Sequence, residues 1–455
     1  MWKKSGSGGN RCPSSGWREY QAKLQKQGSL ERSRRLRLTV LVLALAALCG
    51  VYSLMGSTPA PSAIVTSSPA TADSVEPQHL DKEELRQLLD KDAFNNLTRE
   101  AIDMPLGQRV VHVETSLDPG LQKYLLDRMD RKNSRVIGIV VMEAGSGRVL
   151  AMAGFDEANP SVNTCLRSTF PSASVFKIVT AASAVDHCGL SPDSKLHFNG
   201  GRYTLYKRQL KDIINRYTNT VSFKQAFAQS VDPVFRKLGE HRLGRPVLKK
   251  YADTFGFNEP LNFDLPLKPS HFHINDEPYH WAELSSGFNR DTTISPLHGA
   301  VMVSAVLNDG RMVTPSLVDR IVTAKGQVLY RHHRQWEQQA MSPKASAVLD
   351  KLMQATVASG TAHHYFRGYR HDRILSHLVI GGKTGTIDNR DHDARYDWFV
   401  GFAKERKGDR QVVVAALVAH GKYIGTRASQ YARMAIRYYF SQPAPQPATA
   451  AQPGG

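Results

Sequence analysis

PSASVFKI, residues 171–178, holds Ser174 and Lys177 three positions apart. Residues at that spacing share one face of a helix, so a hydroxyl and an amine would stand one turn apart. A serine hydroxyl is a poor nucleophile until an adjacent base takes its proton. A buried lysine becomes such a base when desolvation leaves it neutral. Alone the pattern says little: chance supplies on the order of one or two such matches in a chain of this size. Its weight comes from two later segments.

The first is HLVIGGKTGT, residues 377–386, which reads as a strand whose far half carries small side chains. Glycine inside a strand marks a place where another backbone comes close. An extended peptide could add itself along such an edge. Lys383 and the hydroxyls of Thr384 and Thr386 suit a carboxylate. A phosphate loop would also end in Gly-Lys-Thr, but it requires glycine at 377, where His377 stands. The second segment is Ser230-Val231-Asp232, within AFAQSVDPVF. A second hydroxyl there could relay a proton between Lys177 and a leaving group. By itself the tripeptide reads as an ordinary loop after a helix.

Around these segments the apolar pattern lays out one globular stretch. Val136–Glu143 and Val149–Ala153 read as a hairpin across Gly145-Ser146-Gly147. Leu378–Thr386, Trp398–Ala403 and Val412–Ala419 read as strands, and Ser429–Phe440 as a closing helix. Residues 174–307 are mostly helix and loop. Strands first, helices between and strands last would join both ends of the chain in one sheet, with helices on both faces.

The order Ser174/Lys177, then Ser230, then Lys383/Thr384/Gly385 resembles the S-x-x-K, S-x-N and K-T-G elements of penicillin-binding proteins and serine β-lactamases. The chain is most similar to the transpeptidase domain of a monofunctional, class B-type penicillin-binding protein. The likeness spans roughly residues 110–440 and includes several further segments. These are Ser116-Leu117-Asp118 with Leu121-Gln122, Thr180-Ala181-Ala182, and Ser295-Pro296-Leu297. Asn308-Asp309-Gly310, Pro315, Gly360-Thr361-Ala362 and Trp398–Phe402 continue it. The resemblance implies an α/β (α+β) fold: a central antiparallel sheet of five strands flanked by helices, an all-helical subdomain, and one N-terminal transmembrane helix. It implies acyl transfer on peptidoglycan stem peptides, and acylation of the same serine by β-lactams. Ser174 would attack and Lys177 would act as base. The N–H groups of Ser174 and Thr386 would form an oxyanion hole, and Ser230 would pass the proton to the departing D-Ala. Asp232 would contact the stem-peptide backbone. Lys383, Thr384, Gly385 and Thr386 would form the carboxylate-binding strand. No metal or cofactor is required. A glycan polymerase of the SEDS type is the partner the family suggests.

Two departures stand out. The family's asparagine is Asp232, and Ser172-Ala173 replaces the usual proline–glycine lead into the nucleophile. An amide donates and accepts, whereas a carboxylate only accepts. Asp232 would therefore favour the charged form of Lys177 or Lys383, which bears on rate or substrate choice. Rival functions on this scaffold are a D,D-carboxypeptidase, a class D-like β-lactamase, or a low-activity penicillin-binding sensor.

The flanks have their own reading. The chain of 455 residues carries a net charge of +18, of which residues 1–37 contribute ten Lys or Arg against Glu19 and Glu31. The uncharged run Leu38–Met55 follows, long enough to span a membrane. The basic flank places the N-terminus in the cytoplasm and the rest outside; a cleaved signal peptide is the competing reading. Anionic lipid headgroups account for the basic tail without nucleic acid. The expected organisation is a cytoplasmic tail (1–37), an inner-membrane anchor (38–56), a Pro/Ser/Thr-rich linker (57–79) and a short helical segment (80–107). The transpeptidase domain follows (108–441), and then a disordered tail (442–455). No pedestal or glycosyltransferase domain is expected. Cys165 and Cys188 flank the nucleophile segment and could form a disulfide or remain two buried thiols. The paired histidines His271/His273, His332/His333 and His363/His364, with Asp391-His392-Asp393, read as loop residues. Trp398 is either a wall of the cleft or a core aromatic.

Overall fold

The computed structural model describes residues 79–443, apart from 107, 108, 205 and 390–393. The expected tail at 1–37, the anchor at 38–56, nearly all of the linker and most of the C-terminal tail lie outside the described residues, as does Asp391-His392-Asp393. Among the described residues no helix is long and apolar enough to cross a membrane.

The segment expected to be helical over 80–107 divides. A helix at Lys82–Leu88 starts on a capping box, in which the Asp81 carboxylate accepts the N–H groups of Glu83 and Glu84. It buries Leu85 and stops before Asp90, whose side chain caps a single 3₁₀ turn at Lys91–Phe94. Ala101–Leu106 is then a strand, β1. Pro105 suits an edge strand, where the missing N–H has no ladder partner. β2 (Arg109–Thr115) pairs with it, and a helix at Pro119–Asp127 follows.

β3 (Ser134–Glu143) and β4 (Val149–Asp156) form the expected hairpin. β5 (Phe170–Pro171) leads through a 3₁₀ turn into the helix Lys177–Cys188. β6 (Lys195–Phe198) and β7 (Asn219–Ser222) make a small ribbon. Helices at Phe223–Ala228, Asp232–Lys237, Gly244–Thr254 and Pro278–Ser286 follow, then β8 (Thr293–Ile294), which pairs with β5. After the helix Pro296–Leu307 come β9 (Arg311–Val313), β10 (Val318–Thr323), β11 (Val328–Arg331) and β12 (Trp336–Gln339). The helix Pro343–Ala358 precedes β13 (Leu378–Asp388), β14 (Arg395–Glu405) and β15 (Gln411–His420), and the helix Ala428–Ser441 closes the domain.

The central sheet has the order β13-β14-β15-β3-β4 and is antiparallel throughout, so the early hairpin and the three late strands do meet in one sheet. Both of its faces are buried. Val140, Met142, Val400, Phe402 and Val413 face one core, and Ile139, Val141, Phe399, Val412 and Val414 face the other. Burial on both faces explains why these strands read as continuous apolar runs rather than alternating ones. The second core is closed by Leu121, Leu125, Tyr431 and Ile436 from the Pro119–Asp127 and Ala428–Ser441 helices.

Two features correct the expected layout. The helical subdomain is not all-helical: it carries the β6-β7 ribbon, and the β5-β8 pair lies within the same stretch. A second sheet, β1-β2-β10-β11, joins segments far apart in the chain. Its strands are short, and those of β1 and β10 are only half buried, so they give no continuous apolar run. Cys165 and Cys188 are unjoined thiols, the first buried and the second half-buried. Burial pushes the Cys165 thiol up to about 12.

Trp398 is a core residue and not a wall of the cleft. It is fully buried on β14, and its indole N–H donates to the Pro171 carbonyl at 2.8 Å. That bond ties the central sheet to the segment leading into Ser174. Trp398→Phe keeps most of the apolar contact but strands the carbonyl, at a cost of about 1–3 kcal/mol. Urea denaturation is expected to show that loss; an unchanged unfolding free energy would show that the bond contributes nothing.

Candidate active site

Ser174 sits where the sheet meets the helical half. β5 delivers the chain, and Ser172 donates its N–H to the Thr292 carbonyl at 2.9 Å. The backbone then kinks at Ala173, with φ of +47°. An L-residue pays of order 1–2 kcal/mol for that left-handed conformation, so the surroundings must hold it. Two glycines make room. Gly287, at φ +71°, lies so close that a Cβ there would run into the Ala173 carbonyl. A Cβ on Gly385 would stand 3.2 Å from the Ala173 Cβ and 3.3 Å from the Ser174 nitrogen. The backbone that Gly385 admits is thus the Ala173–Ser174 turn. From the kink, a 3₁₀ turn at Ala173–Phe176 runs into the buried helix Lys177–Cys188.

Three segments converge around two buried amines. Lys177 Nζ lies 2.8 Å from Ser174 Oγ, 3.1 Å from Ser230 Oγ and 2.6 Å from Asp232 Oδ1. Lys383 Nζ lies 3.0 Å from Ser230 Oγ and donates to the Thr384 carbonyl at 2.8 Å. Ser230 occupies the short link between two helices and is also left-handed, with φ of +52°. Of the five non-glycine residues at positive φ among the described residues, two, Ala173 and Ser230, therefore flank the Ser174–Lys177 pair, the first preceding Ser174 and the second touching Lys177.

Neither lysine is exposed. Burial pushes the Lys177 amine below its ordinary value, and Asp232 opposes the shift. Lys383 is held well below its ordinary value, first by burial and then by the charge of Lys177.

The structure separates the four residues expected to bind a carboxylate. Thr386 is exposed in the cleft. The Thr384 hydroxyl shares a hydrogen with Thr361 Oγ1 at 2.5 Å. Lys383 is turned behind Ser230 rather than into open space. Gly385 packs against the nucleophile turn. Ser174, Ser230, Asp232, Thr384 and Thr386 line one cleft of about 790 Å³. Its wall includes β13, an edge strand of the central sheet.

Arg236 was not anticipated from the sequence. It lies one helical turn beyond Asp232, fully buried, with Nε on Ser286 Oγ at 3.2 Å and Nη1 on the Thr204 carbonyl. Burial pushes its pKa down to about 10 against the attraction of Asp232. The i,i+4 spacing in DPVFRK was the available signal. Thr361 belonged to a recognised segment, but its contact with Thr384 links residues too distant to read.

A hydroxyl in contact with an amine, a second hydroxyl bridging to a second amine, and an open strand edge suit acyl transfer to and from serine. The comparisons agree with that chemistry. The family model for the penicillin binding protein transpeptidase domain matches residues 137–437. The chain is 25% identical over 357 residues to the peptidoglycan D,D-transpeptidase PbpA of Mycolicibacterium smegmatis, covering 68% of this chain and 67% of that one. It is 26% identical over 308 residues to stage V sporulation protein D of Bacillus subtilis, covering 64% of this chain and 45% of that relative. It thus spans under half the length of the sporulation protein. The crystal structure of PBPA from Mycobacterium tuberculosis superimposes with a TM-score of 0.59 at 22% identity, over 72% of this chain and 82% of that one. The D,D-transpeptidase domain of a peptidoglycan glycosyltransferase from Eggerthella lenta gives 0.59 at 22%, over 77% and 86%. These likenesses establish the shared fold.

Gly189 and Gly287, both at positive φ, allow a controlled test of the Ala173–Ser174 turn. Gly189, at φ +66°, faces open space, whereas Gly287 abuts the Ala173 carbonyl. Gly189→Ala is expected to cost about 1 kcal/mol, the conformational penalty alone. Gly287→Ala is expected to cost at least about 1 kcal/mol more, read by urea denaturation. Equal losses would mean that the turn is not braced as described.

Proposed function

Since the chain belongs to the penicillin binding protein transpeptidase domain family, we propose that it is a serine D,D-transpeptidase that cross-links peptidoglycan stem peptides. The observation that carries this reading is the 2.8 Å contact between Ser174 Oγ and Lys177 Nζ beside an open strand edge. Ser174 attacks the carbonyl of the penultimate D-Ala, and its proton passes to Lys177, the amine in contact with it. The donor stem lies along β13, where an edge strand offers unpaired backbone groups to an extended peptide. The N–H groups of Ser174 and Thr386 bind the developing oxyanion; one such donor is typically worth about 3–4 kcal/mol. Thr386 meets the terminal carboxylate. Ser230 delivers a proton to the departing D-Ala, and an amine of a second stem then takes the acyl group from Ser174. β-Lactams acylate the same hydroxyl because their amide carbonyl occupies the same place.

The membrane reading of the sequence completes the proposal. Residues 38–56 anchor the chain in the inner membrane with the basic tail in the cytoplasm, and the catalytic domain works on the outer side. A glycan polymerase of the SEDS type would supply the strands. Support for these points comes from the apolar run, its basic flank and the family resemblance.

Intact-protein mass spectrometry after exposure to penicillin tests the reading. The native chain is expected to gain the mass of one penicillin, mapped to Ser174, and Ser174→Ala to gain none. A native chain that stays unmodified, or an adduct that persists in Ser174→Ala, would contradict the assignment.

A further inference from the structure

Three cationic side chains, Lys177, Lys383 and Arg236, are fully buried around Asp232. A buried excess of positive charge is costly, so one amine gives up its proton. The position of Asp232 says which. An ionised carboxylate can only accept, so at 2.6 Å from Asp232 Oδ1 the Lys177 nitrogen is the donor. Its contacts with Ser174, Ser230 and Asp232 match the three N–H bonds of an ammonium group. Ser230 Oγ accepts one of them and has a single proton of its own to give. Its other amine contact is Lys383, at 3.0 Å. A neutral Lys383 offers the lone pair that receives that proton and keeps an N–H for the Thr384 carbonyl. Aromatic faces do not separate the two amines: Lys177 lies 5.4 Å from the Phe235 ring and Lys383 lies 5.6 Å from that of Phe227. Asp232 separates them, because its ion pair is with Lys177.

We propose that Asp232 fixes Lys177 as an ammonium and leaves Lys383 as the neutral amine that finally accepts the Ser174 proton. The proposal rests on the acyl-transfer reading above. As the bond from Ser174 Oγ to the substrate carbonyl carbon forms, the carbonyl π pair moves onto its oxygen. The Ser230 proton moves to the lone pair of Lys383 as Lys177 hands a proton to Ser230; the lone pair this leaves on Lys177 turns to Ser174 Oγ and takes its proton. Lys177 and Ser230 end as they began, and Lys383 becomes the ammonium. When the tetrahedral intermediate collapses, the carbon–nitrogen bond breaks. The proton then returns from Lys383 through Ser230 to the departing amine. An asparagine at 232 would behave differently: its amide can donate to a neutral Lys177 and carries no charge to hold it protonated.

The charged groups facing Lys383 are Lys177 from the nucleophile helix and Asp232 from the next helix; Arg236 acts on Lys177 from behind. The charge on Lys177 and burial both favour a neutral Lys383. Acylation should therefore fall as pH drops through the lowered pKa of Lys383, because the neutral amine is lost below it.

The test crosses Lys383→Arg with Asp232→Asn. A guanidinium stays charged and has no lone pair to receive the Ser230 proton. In the native background Lys383→Arg is expected to slow penicillin acylation of Ser174 at least about 100-fold, the size of a lost general base. With Asp232→Asn also present, Lys177 is free to shed its proton, and the same change is expected to cost no more than about 10-fold. Equal losses in the two backgrounds would overturn the proposal. An infrared difference spectrum between the native chain and Asp232→Asn needs no lysine variant. No protonated carboxylic-acid band is expected at position 232, and such a band would place the proton on Asp232 and overturn the proposal. A native chain that acylates normally while the crossed losses are equal removes only this assignment of the base. A native chain that never acylates removes the acyl-transfer reading itself.

Discussion

One serine hydroxyl shared by two buried amines is the contact on which the site depends. Ser230 Oγ lies 3.1 Å from Lys177 and 3.0 Å from Lys383, and these residues come from three distant parts of the chain. No local segment could bring them together. The central sheet does so by placing β13, from the C-terminal third, at an edge beside the nucleophile turn. The two apolar cores that clamp the sheet hold that edge in place. Burial that stabilises the sheet also desolvates the amines, so one packing arrangement serves both fold and chemistry.

The strain in the site follows from the same convergence. Ala173 and Ser230 take left-handed backbone conformations that cost free energy. Each lies in a short link whose direction is set by the elements on either side. Gly287 lets backbone approach where a side chain would collide, and Gly385 leaves room where a Cβ would be tightly packed. Trp398, from the middle of the sheet, pins the Pro171 carbonyl at the start of the turn.

Much of this was legible in the sequence, for a definite reason. Val136–Glu143, Val149–Ala153 and the three C-terminal strands are buried on both faces and read as unbroken apolar runs. Ser174, Lys177 and Lys383 sit in patterns with fixed spacing, so their convergence on one site could be anticipated from residue type. The β1-β2-β10-β11 sheet was not legible, because its pairing joins half-polar strands separated by most of the domain. The segment expected to be helical over 80–107 is divided at Asp90, whose side chain caps a new turn, and from Ala101 it is a strand paired with β2. Arg236 was missed because its significance comes from burial beside Asp232, and burial is a property of the fold. Asp232 was visible as a departure from the family's asparagine. That its carboxylate engages Lys177 rather than Lys383 is a matter of geometry alone.

The central claim is that Ser174 is the nucleophile and that Lys177, Ser230 and Lys383 form one proton path behind it. A crystal structure of the chain soaked with penicillin tests it most directly. The account expects continuous density from Ser174 Oγ to the opened lactam carbonyl, with the two amines still within hydrogen-bond distance of Ser230. An unmodified Ser174 whose oxygen faces the protein interior, or amines drawn apart from Ser230, would contradict it.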